Sequence, residues 1–432
     1  MNLEIIGGYV VIPNENAISV EEKNIFIKDG IVFYEKPFDK SDKIINAKNK
    51  IIFPGLVNAH HHIYSCLSKG IPAEVPFVDF EGTLAKLWWK LDRALLKDDM
   101  ILSTALVMQD CLKNGVTTVF DHHISASFIK NSLSTMAKVF DDYGVSGSIA
   151  FEMSDRNGED VFLESLEENV NFAKQNKNSD VKGMIGLHAA FTLSNESLKK
   201  ISDKSEKFPI HVHIAEGNID EIQSQEKYGK SIIERLDDFG LLRDNSLMVH
   251  CSNISEKEIE ILKEKNIFIA QTIDSNLNNA LNVANISDLI NSDLKVTVGT
   301  DGMTSNIMKA YKNSYIFTKY LNKTPDIGFP EMHELFMNSY RLKKAFGLPL
   351  GVLENENADI AIFDYEPATP LNTDTFLGLF IFGITESQAQ WVIKNDKVLL
   401  DDYKLKTTDK YNDLINNAIE ISKKMFDRFL EI

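Results

Sequence analysis

The stretch PGLVNAHHH, Pro54 to His62, decides how the chain is read. It is a short apolar run that ends in three imidazoles. Three later segments share that layout: His211-Val212-His213 followed by Glu216, His250 closing Ser246 to His250, and Asp301 within Val298-Gly299-Thr300-Asp301-Gly302. Four strand ends that bring imidazoles and a carboxylate to one rim describe how a parallel barrel builds a catalytic site on its C-terminal face.

Working outward from Pro54, strand-like runs alternate with charged, helix-period stretches such as Leu163 to Gln175 and Ile219 to Asp238. The strand-like runs are Leu56 to Ala59, Gly115 to Asp121, Val145 to Phe151, Lys182 to His188, Phe208 to His213, Ser246 to His250, Ile267 to Thr272 and Lys295 to Thr300. Eight strands with helices between them predict an α/β fold, a (β/α)8 TIM-type barrel over residues 54–350. Before it, Leu3 to Ile12, Ile25 to Ile27, Gly30 to Tyr34 and Ile44 to Phe53 read as short strands between turns. After it, Ala358 to Asp364 and Trp391 to Leu400 read as strands again, and Tyr411 to Ile432 as an amphipathic closing helix. Residues 1–53 and 351–432 are therefore expected to form one small β-sandwich domain from both ends of the chain.

Composition narrows the function classes. The 432 residues are 44% hydrophobic and 25% charged, as in ordinary globular proteins, and the formal net charge is -17. That charge argues against a nucleic-acid partner, which would need clustered Lys and Arg. Cys66, Cys111 and Cys251 are too few and too scattered for a disulfide framework and suit a reducing cytoplasm. Cys251 follows His250 directly, but neighbours on a strand face opposite ways, so its thiolate is not favoured as a metal ligand. Met1 to Ile12 contains Glu4 and reads as a strand, not as a targeting segment. The apolar run Phe376 to Ile384 is about half of what a helix needs to cross a bilayer, so no membrane partner is expected and the run is assigned to the core.

Residues two apart on a strand share a face, so His60 and His62 address one ion while His61 points away. With His213 and Asp301 they form a nitrogen and oxygen set suited to one divalent ion, zinc first and ferrous iron second. Such an ion lowers the pKa of its water from about 15.7 toward about 7. Asp301 is the candidate to take that water's proton, and Glu216, three residues past His213, to deliver one to a ring nitrogen or leaving group. His250 is read as orienting the water, with a fourth imidazole ligand as the alternative.

PGLVNAHHH, the segment HVHIAE (His211 to Glu216) and VGTD (Val298 to Asp301) resemble the amidohydrolase superfamily, within it the cytosine/guanine deaminase and chlorohydrolase branch. HHHIYSCL (His60 to Leu67), Trp88-Trp89 with Leu91-Asp92, TTVFDHH (Thr117 to His123) and SDRNG (Ser154 to Gly158) are similar to the SsnA-type aminohydrolases. The resemblance implies His60, His62, His213 and Asp301 as ligands, Glu216 as acid and base, and His250 as the residue that orients water. It also implies a single ion, because the fourth strand ends in Gly186-Leu187-His188-Ala189, where binuclear relatives carry a carboxylated Lys. His188 then takes a substrate-binding role. His61 departs from the Thr of many relatives.

The remaining pocket candidates are Trp88, in the long connection Ile63 to Asp92, where an indole would stack on a planar ring; Arg156, for a substrate carbonyl or carboxylate; and Asn276, for a heterocycle edge. The Asp121-His122-His123 cluster is expected to orient a ligand imidazole. Together these features predict a cytoplasmic, homodimeric hydrolase of C–N bonds in a small heterocycle, an aminohydrolase of a purine- or pterin-like ring using metal-bound hydroxide. The alternatives are a cyclic amidase that opens a purine- or hydantoin-like ring, and a non-catalytic metal-binding barrel.

Overall fold

Leu56–His61 is a strand buried along its whole length, as apolar residues covered on both faces require. The computed structural model describes every residue except Asn16 and Thr407 and sets further parallel strands beside this one. We number the ring β1 (Leu56–His61), β2 (Val116–His123), β3 (Ser146–Phe151), β4 (Ile185–Ala189), β5 (Ile210–Ile214), β6 (Leu247–His250), β7 (Phe268–Gln271) and β8 (Lys295–Val298). Each strand neighbours the next in sequence, and the paired ladders are parallel. β3 reaches β4 through a bridge between Met153 and Leu187. β8 returns to β1 through the bridge His61–Asp301, with the Thr300 and Asp301 N–H groups donating to the His60 carbonyl at 2.9 and 3.0 Å. Gly299 makes that seam possible, since a Cβ there would lie 2.7 Å from the His60 backbone nitrogen and Cβ. The fold is of the TIM-barrel type.

Two of the expected elements are interrupted. The run Lys182 to His188 breaks at Met184, so that Val181–Gly183 pairs with β3 before β4 begins. The helical stretch Ile219 to Asp238 is two helices, Asn218–Tyr228 and Ile232–Asp238. Ser231 starts the second one by accepting from the Glu234 N–H while the Glu234 carboxylate takes the Ser231 N–H, a reciprocal cap.

The chain ends meet in two sheets. One orders Ile31–Phe33, Ile25–Lys28, Leu3–Ile6 and Lys43–Asn46; the other runs from Lys404–Leu405 through Asp359–Phe363 and Ile51–Pro54 to Ile18–Glu22. Asp359–Phe363 pairs antiparallel with Ile51–Pro54, which joins the two termini. A common apolar cluster that includes Leu3, Ile5, Ile27, Ile52, Ile360 and Ile393 is buried in this unit. Three single strands expected here are each two. Leu3 to Ile12 divides at Gly7-Gly8, Ile44 to Phe53 at Ala47 to Lys50, and Trp391 to Leu400 is a hairpin, Ala389–Lys394 and Lys397–Asp401. Asn395 turns that hairpin at φ 53°, a left-handed conformation that Asn tolerates. Phe376–Phe382 is a helix that buries Phe376, Phe380 and Ile381, as expected of a core segment, although Phe382 is exposed. The closing helix is broken into Asn412–Asn416 and Ala418–Glu431.

Candidate active site

The ends of β1, β5, β6 and β8 converge, and hydrogen bonds fix how the imidazoles face. His62 Nδ1–H donates to the His122 carbonyl at 2.7 Å, and His213 Nδ1–H to the His188 carbonyl at 2.6 Å. Each ring therefore presents an Nε2 lone pair, and the two Nε2 atoms lie 3.1 Å apart. Two lone pairs at that distance repel unless a cation shares them. His60 Nδ1 is engaged with His211 Nε2 at 2.8 Å, which leaves His60 Nε2 buried and without a partner. Asp301 Oδ1 stands 3.5 Å from His62 Nε2, and donor atoms of His60, His62 and Asp301 all lie within 4.8 Å of one another. Burial and the neighbouring imidazoles hold His60 and His213 well below the usual imidazole range, so both are neutral, the form that ligates. Burial opposes ionisation of Asp301, but His62, His250 and His213 hold its carboxyl down at about 2. Neutral nitrogens, an anionic oxygen and an orphaned lone pair fit a divalent cation.

A second group sits beside the first. His250 is fully buried, with Nδ1 2.8 Å from Thr272 Oγ1 and 3.0 Å from Asn276 Oδ1. Its Nε2 has no hydrogen-bond partner and lies 3.5 Å from Glu216 Oε2 and 3.8 Å from Asp301 Oδ2. Burial and then Asp301 push the Glu216 carboxyl well above its ordinary value, so Glu216 and Asp301 are driven apart. His250 and Asp301 adopt φ values of 68° and 53°. Non-glycine residues in that region cost on the order of 1–3 kcal/mol each, strain that gathers where side-chain aim matters.

These groups open into a cavity of about 270 Å3, lined among others by His62, His188, His213, Glu216, Asp301 and Trp88. The connection after β1 covers it. Leu84–Trp88 is a π-helical turn, the wide type that recurs at functional sites, and it brings Leu84, Leu87 and Trp88 to the cavity wall. Trp88 and His188 both line the cavity, with His188 Nδ1 3.1 Å from Thr192 Oγ1. Arg156 is not part of the lining; it pairs with Asp92 at 3.3 Å and lies over Trp89. Asn276 is corrected more sharply. Besides meeting His250 Nδ1, its amide donates to Ser252 Oγ and the Asn282 carbonyl, so it holds His250, and Ser275, Asn278 and Asn279 line the cavity in its place.

His61 does point away, toward Ser305 Oγ at 3.2 Å. In the Asp121-His122-His123 cluster, the His122 carbonyl orients His62, and its ring stacks on His211 with centroids 4.5 Å apart at 10°. Asp121 Oδ1 accepts the Ile63 N–H, and His123 turns to Ser125. Burial pushes the Cys251 thiol up, which keeps it protonated and unfit as a ligand. Two groups escaped the sequence reading. Glu152, just past β3, lies 3.4 Å from His122 Nδ1, 3.8 Å from His62 Nδ1 and 3.9 Å from His213 Nδ1. Asp92 lines the cavity from the helix Trp89–Ala94. The one signal for Glu152 was a carboxylate closing the apolar run Val145 to Phe151.

A parallel α/β ring with imidazoles and a carboxylate at its strand ends defines a hydrolase with a metal site. The family comparison agrees: the model of the amidohydrolase family matches residues 51–394, and the chain belongs to that family. It is a hydrolase acting on C–N bonds. A curated relative, the 5-methylthioadenosine/S-adenosylhomocysteine deaminase of Caldanaerobacter subterraneus subsp. tengcongensis, is 26% identical over 93% of this chain and 95% of its own. Among solved structures, an adenosine deaminase from Xanthomonas campestris with bound zinc superposes with a TM-score of 0.83 at 19% identity, covering 100% of this chain and 99% of that one. The guanine deaminase of C. acetobutylicum, with guanine in its active site, gives 0.77 at 18% identity over 92% and 100%.

Proposed function

We propose that the protein is an aminohydrolase that releases ammonia from a purine-like heterocycle with the help of one divalent ion, zinc before iron. The observation that carries this reading is the set Glu216, His250 and Asp301, whose donor atoms lie within 4.8 Å of one another beside the imidazole set at the cavity end. Two carboxyls with opposite proton affinities suit an acid and a base; a storage site has no use for them. His60, His62, His213 and Asp301 would hold the ion, which supplies Lewis acidity and makes hydroxide accessible at neutral pH.

The protein's own residues do the rest. His250 Nε2 aims an attacking water at the ring carbon while Asp301 takes its proton. Glu216, kept protonated, gives its proton to the adjacent ring nitrogen; the proton that Asp301 took from the water goes to the departing amine, and the proton of the new hydroxyl returns to Glu216 as the C–N bond breaks. His188 and Trp88 hold the ring. The names of the relatives, deaminases of adenosine-like compounds, support amine loss over ring opening. The same reading takes residues 54–350 as the barrel domain, 1–53 with 351–432 as a β-sandwich, the assembly as a homodimer and the setting as the cytoplasm. Among the described residues no helix is long and apolar enough to cross a membrane, and Cys66, Cys111 and Cys251 are free.

A screen of aminated purines, their nucleosides and pterins tests this, read by ultraviolet absorbance, ammonia release and product mass. Exchange of an amine for oxygen is expected; addition of water without ammonia would replace the deaminase by a cyclic amidase. Glu216→Gln cannot move a proton, so turnover should fall by about 10² to 10⁴ with metal content unchanged. A fully active Glu216→Gln enzyme would remove Glu216 from the chemistry.

A further inference from the structure

One carboxyl of the cavity has no part in the chemistry above. Among the described residues, four carboxyls line it, Asp92, Glu152, Glu216 and Asp301, against one amine, Lys69. Asp301 belongs to the ion site, Glu216 to proton transfer, and Asp92 is paired with Arg156. Glu152 is left. It is 4% exposed, and its Oε1 turns toward the Nδ1 atoms of His122, His62 and His213 at 3.4, 3.8 and 3.9 Å. None of these contacts is a hydrogen bond, since His62 and His213 give their Nδ1–H to carbonyls and His122 Nδ1 is unpartnered. The carboxyl therefore stands in the cavity wall with no committed partner. Its backbone, by contrast, is fixed from both sides. The Glu152 N–H donates to the His123 carbonyl at 2.7 Å, and Met153 gives its N–H to the Gly186 carbonyl at 3.1 Å and takes that of His188 at 3.0 Å. The barrel itself holds this group, the condition for a contact that discriminates.

We propose that Glu152 determines specificity by accepting a hydrogen bond from a second N–H donor on the ring under attack, an amine or lactam N–H other than the leaving amine. The proposal rests on the aminohydrolase reading above and narrows the substrate class to purine- or pterin-like rings that carry such a donor. Position supports it. Glu152 lies on the Nδ1 side of His62 and His213, whereas Asp301 lies on the Nε2 side of His62, and with it Glu216 and His250. A ring whose carbon meets the ion site thus has Glu216 at one edge and Glu152 at another. Because Glu152 is 3.8 and 3.9 Å from two ligand imidazoles, it reaches the ring being attacked and not a remote substituent. Burial pushes its carboxyl well above the ordinary value, and a carboxyl oxygen accepts an N–H whether or not the group carries a proton. An adenosine-type ring has no such donor: with the leaving amine set aside, its six-membered ring offers lone pairs and C–H groups. Bound here, it would leave a buried acceptor unpaired, which costs affinity.

The test uses the metal-loaded enzyme and matched pairs that share a leaving amine and differ by one N–H donor group: adenosine with 2-aminoadenosine, and adenine with 2,6-diaminopurine. Wild-type kcat/KM should favour the 2-amino member by at least about tenfold, the weight of a buried acceptor left unpaired. Glu152→Leu removes both oxygens at similar size, so the ratio should fall toward one through KM, with metal content retained. Glu152→Gln keeps an acceptor and should recover part of the preference. Should Glu152→Leu fold poorly, Glu152→Met takes its place with the same expected ratio. No wild-type preference for the 2-amino member, or a preference that survives Glu152→Leu, overturns the proposal. So does a variant that loses metal and slows both members of a pair equally, because Glu152 would then serve only the ligand imidazoles. If no heterocycle releases ammonia, the deaminase reading alone fails. Titration calorimetry of the same pairs on wild type and Glu152→Leu then decides the role of Glu152, which falls if the 2-amino member does not bind more tightly to wild type.

Discussion

Both ends of the barrel bury charge, and they do so in opposite ways. At the C-terminal rim, His60 Nε2, His250 Nε2 and both nitrogens of His122 are buried without hydrogen-bond partners, and His250 and Asp301 sit at strained backbone angles. At the opposite end, Lys343 Nζ donates to Asp359 Oδ2 at 2.8 Å and approaches the Gly55 carbonyl at 3.4 Å. Lys394 joins them, 3.6 Å from Asp359 and 2.6 Å from Ser146 Oγ at the start of β3. This second cluster ties the strand Asp359–Phe363 and the hairpin to β1 and β3, and it is a joint. Gly55 gives it room, since a Cβ there would lie 2.2 Å from Asp359 Oδ1 and 2.0 Å from Thr117 Oγ1. Asp359 Oδ1 and Thr117 Oγ1 also lack hydrogen-bond partners, so the contrast lies in the charges: at the joint the carboxylate meets Lys343 and Lys394 inside the protein, whereas at the rim open imidazole nitrogens and a carboxylate face a cavity that suits a cation.

If that contrast is right, damage to the two ends should separate cleanly. The largest effect belongs to the rim. His213→Ala removes one of two facing Nε2 atoms, so metal affinity should fall by more than the roughly 10- to 100-fold seen when an outer partner of a ligand is lost. Metal analysis after dialysis should find little ion and almost no turnover, while circular dichroism keeps the native spectrum because the barrel core is untouched. Unchanged metal content in this variant would break the ligand assignment.

Asp359 gives the converse. Asp359→Ala leaves Lys343 buried and uncompensated, which costs about 3–5 kcal/mol, read as a lower midpoint in urea. The protein that remains folded should keep its metal and its KM. The acid limb carries the same signature. Burial raises the Asp359 carboxyl, but Lys343 and Lys394 pull it below its ordinary 3.8. A depressed carboxyl contributes stability that is complete above the unfolded value and is lost as the pH falls through the folded one, so the variant should lose that part of the wild-type acid dependence. Loss of metal at neutral pH in Asp359→Ala would mean that the two ends are coupled.

What could be read from the chain follows the same division. His60, His61 and His62 were legible because alternation on a strand separates neighbours by face, and the structure sends His61 to Ser305 while His62 faces His213. The strands were legible as apolar runs, but not the break at Met184 in the barrel or the hairpin turn between Lys394 and Lys397 in the terminal unit, where one or two residues outside the ladder leave the pattern of hydrophobicity intact. Glu152, Asp92 and the Lys343–Asp359–Lys394 joint left no spacing signal. Their partners lie tens to hundreds of residues away and meet only through the circular order of the strands. Asn276 was misread for a related reason: a polar residue after a barrel strand suggests a ligand contact, whereas here helix Ile273–Asn278 turns its amide back onto His250.

Asn276 also offers the smallest and most discriminating test of the comparison, because it lies at the rim yet finds its partners inside the protein. Its Oδ1 accepts from His250 Nδ1–H at 3.0 Å, and that bond leaves Nε2 as the lone pair facing Glu216 and Asp301. Thr272 Oγ1, 2.8 Å from the same nitrogen, is an alternative acceptor. Asn276→Ala should therefore loosen the tautomer and aim of His250 without abolishing them, lowering kcat by about 10- to 100-fold as for other residues that orient an active-site imidazole. Metal content should hold, since His250 is not required among the four ligands. Asn276→Asp separates aim from mere packing, for it keeps an acceptor at Oδ1 and should recover part of the rate while raising the affinity of His250 for a proton, visible as a displaced acid limb of the kcat profile. Loss of metal in Asn276→Ala would instead make His250 a ligand. Equal kcat in wild type and both variants would show that partners at the rim, like those at the joint, serve stability alone.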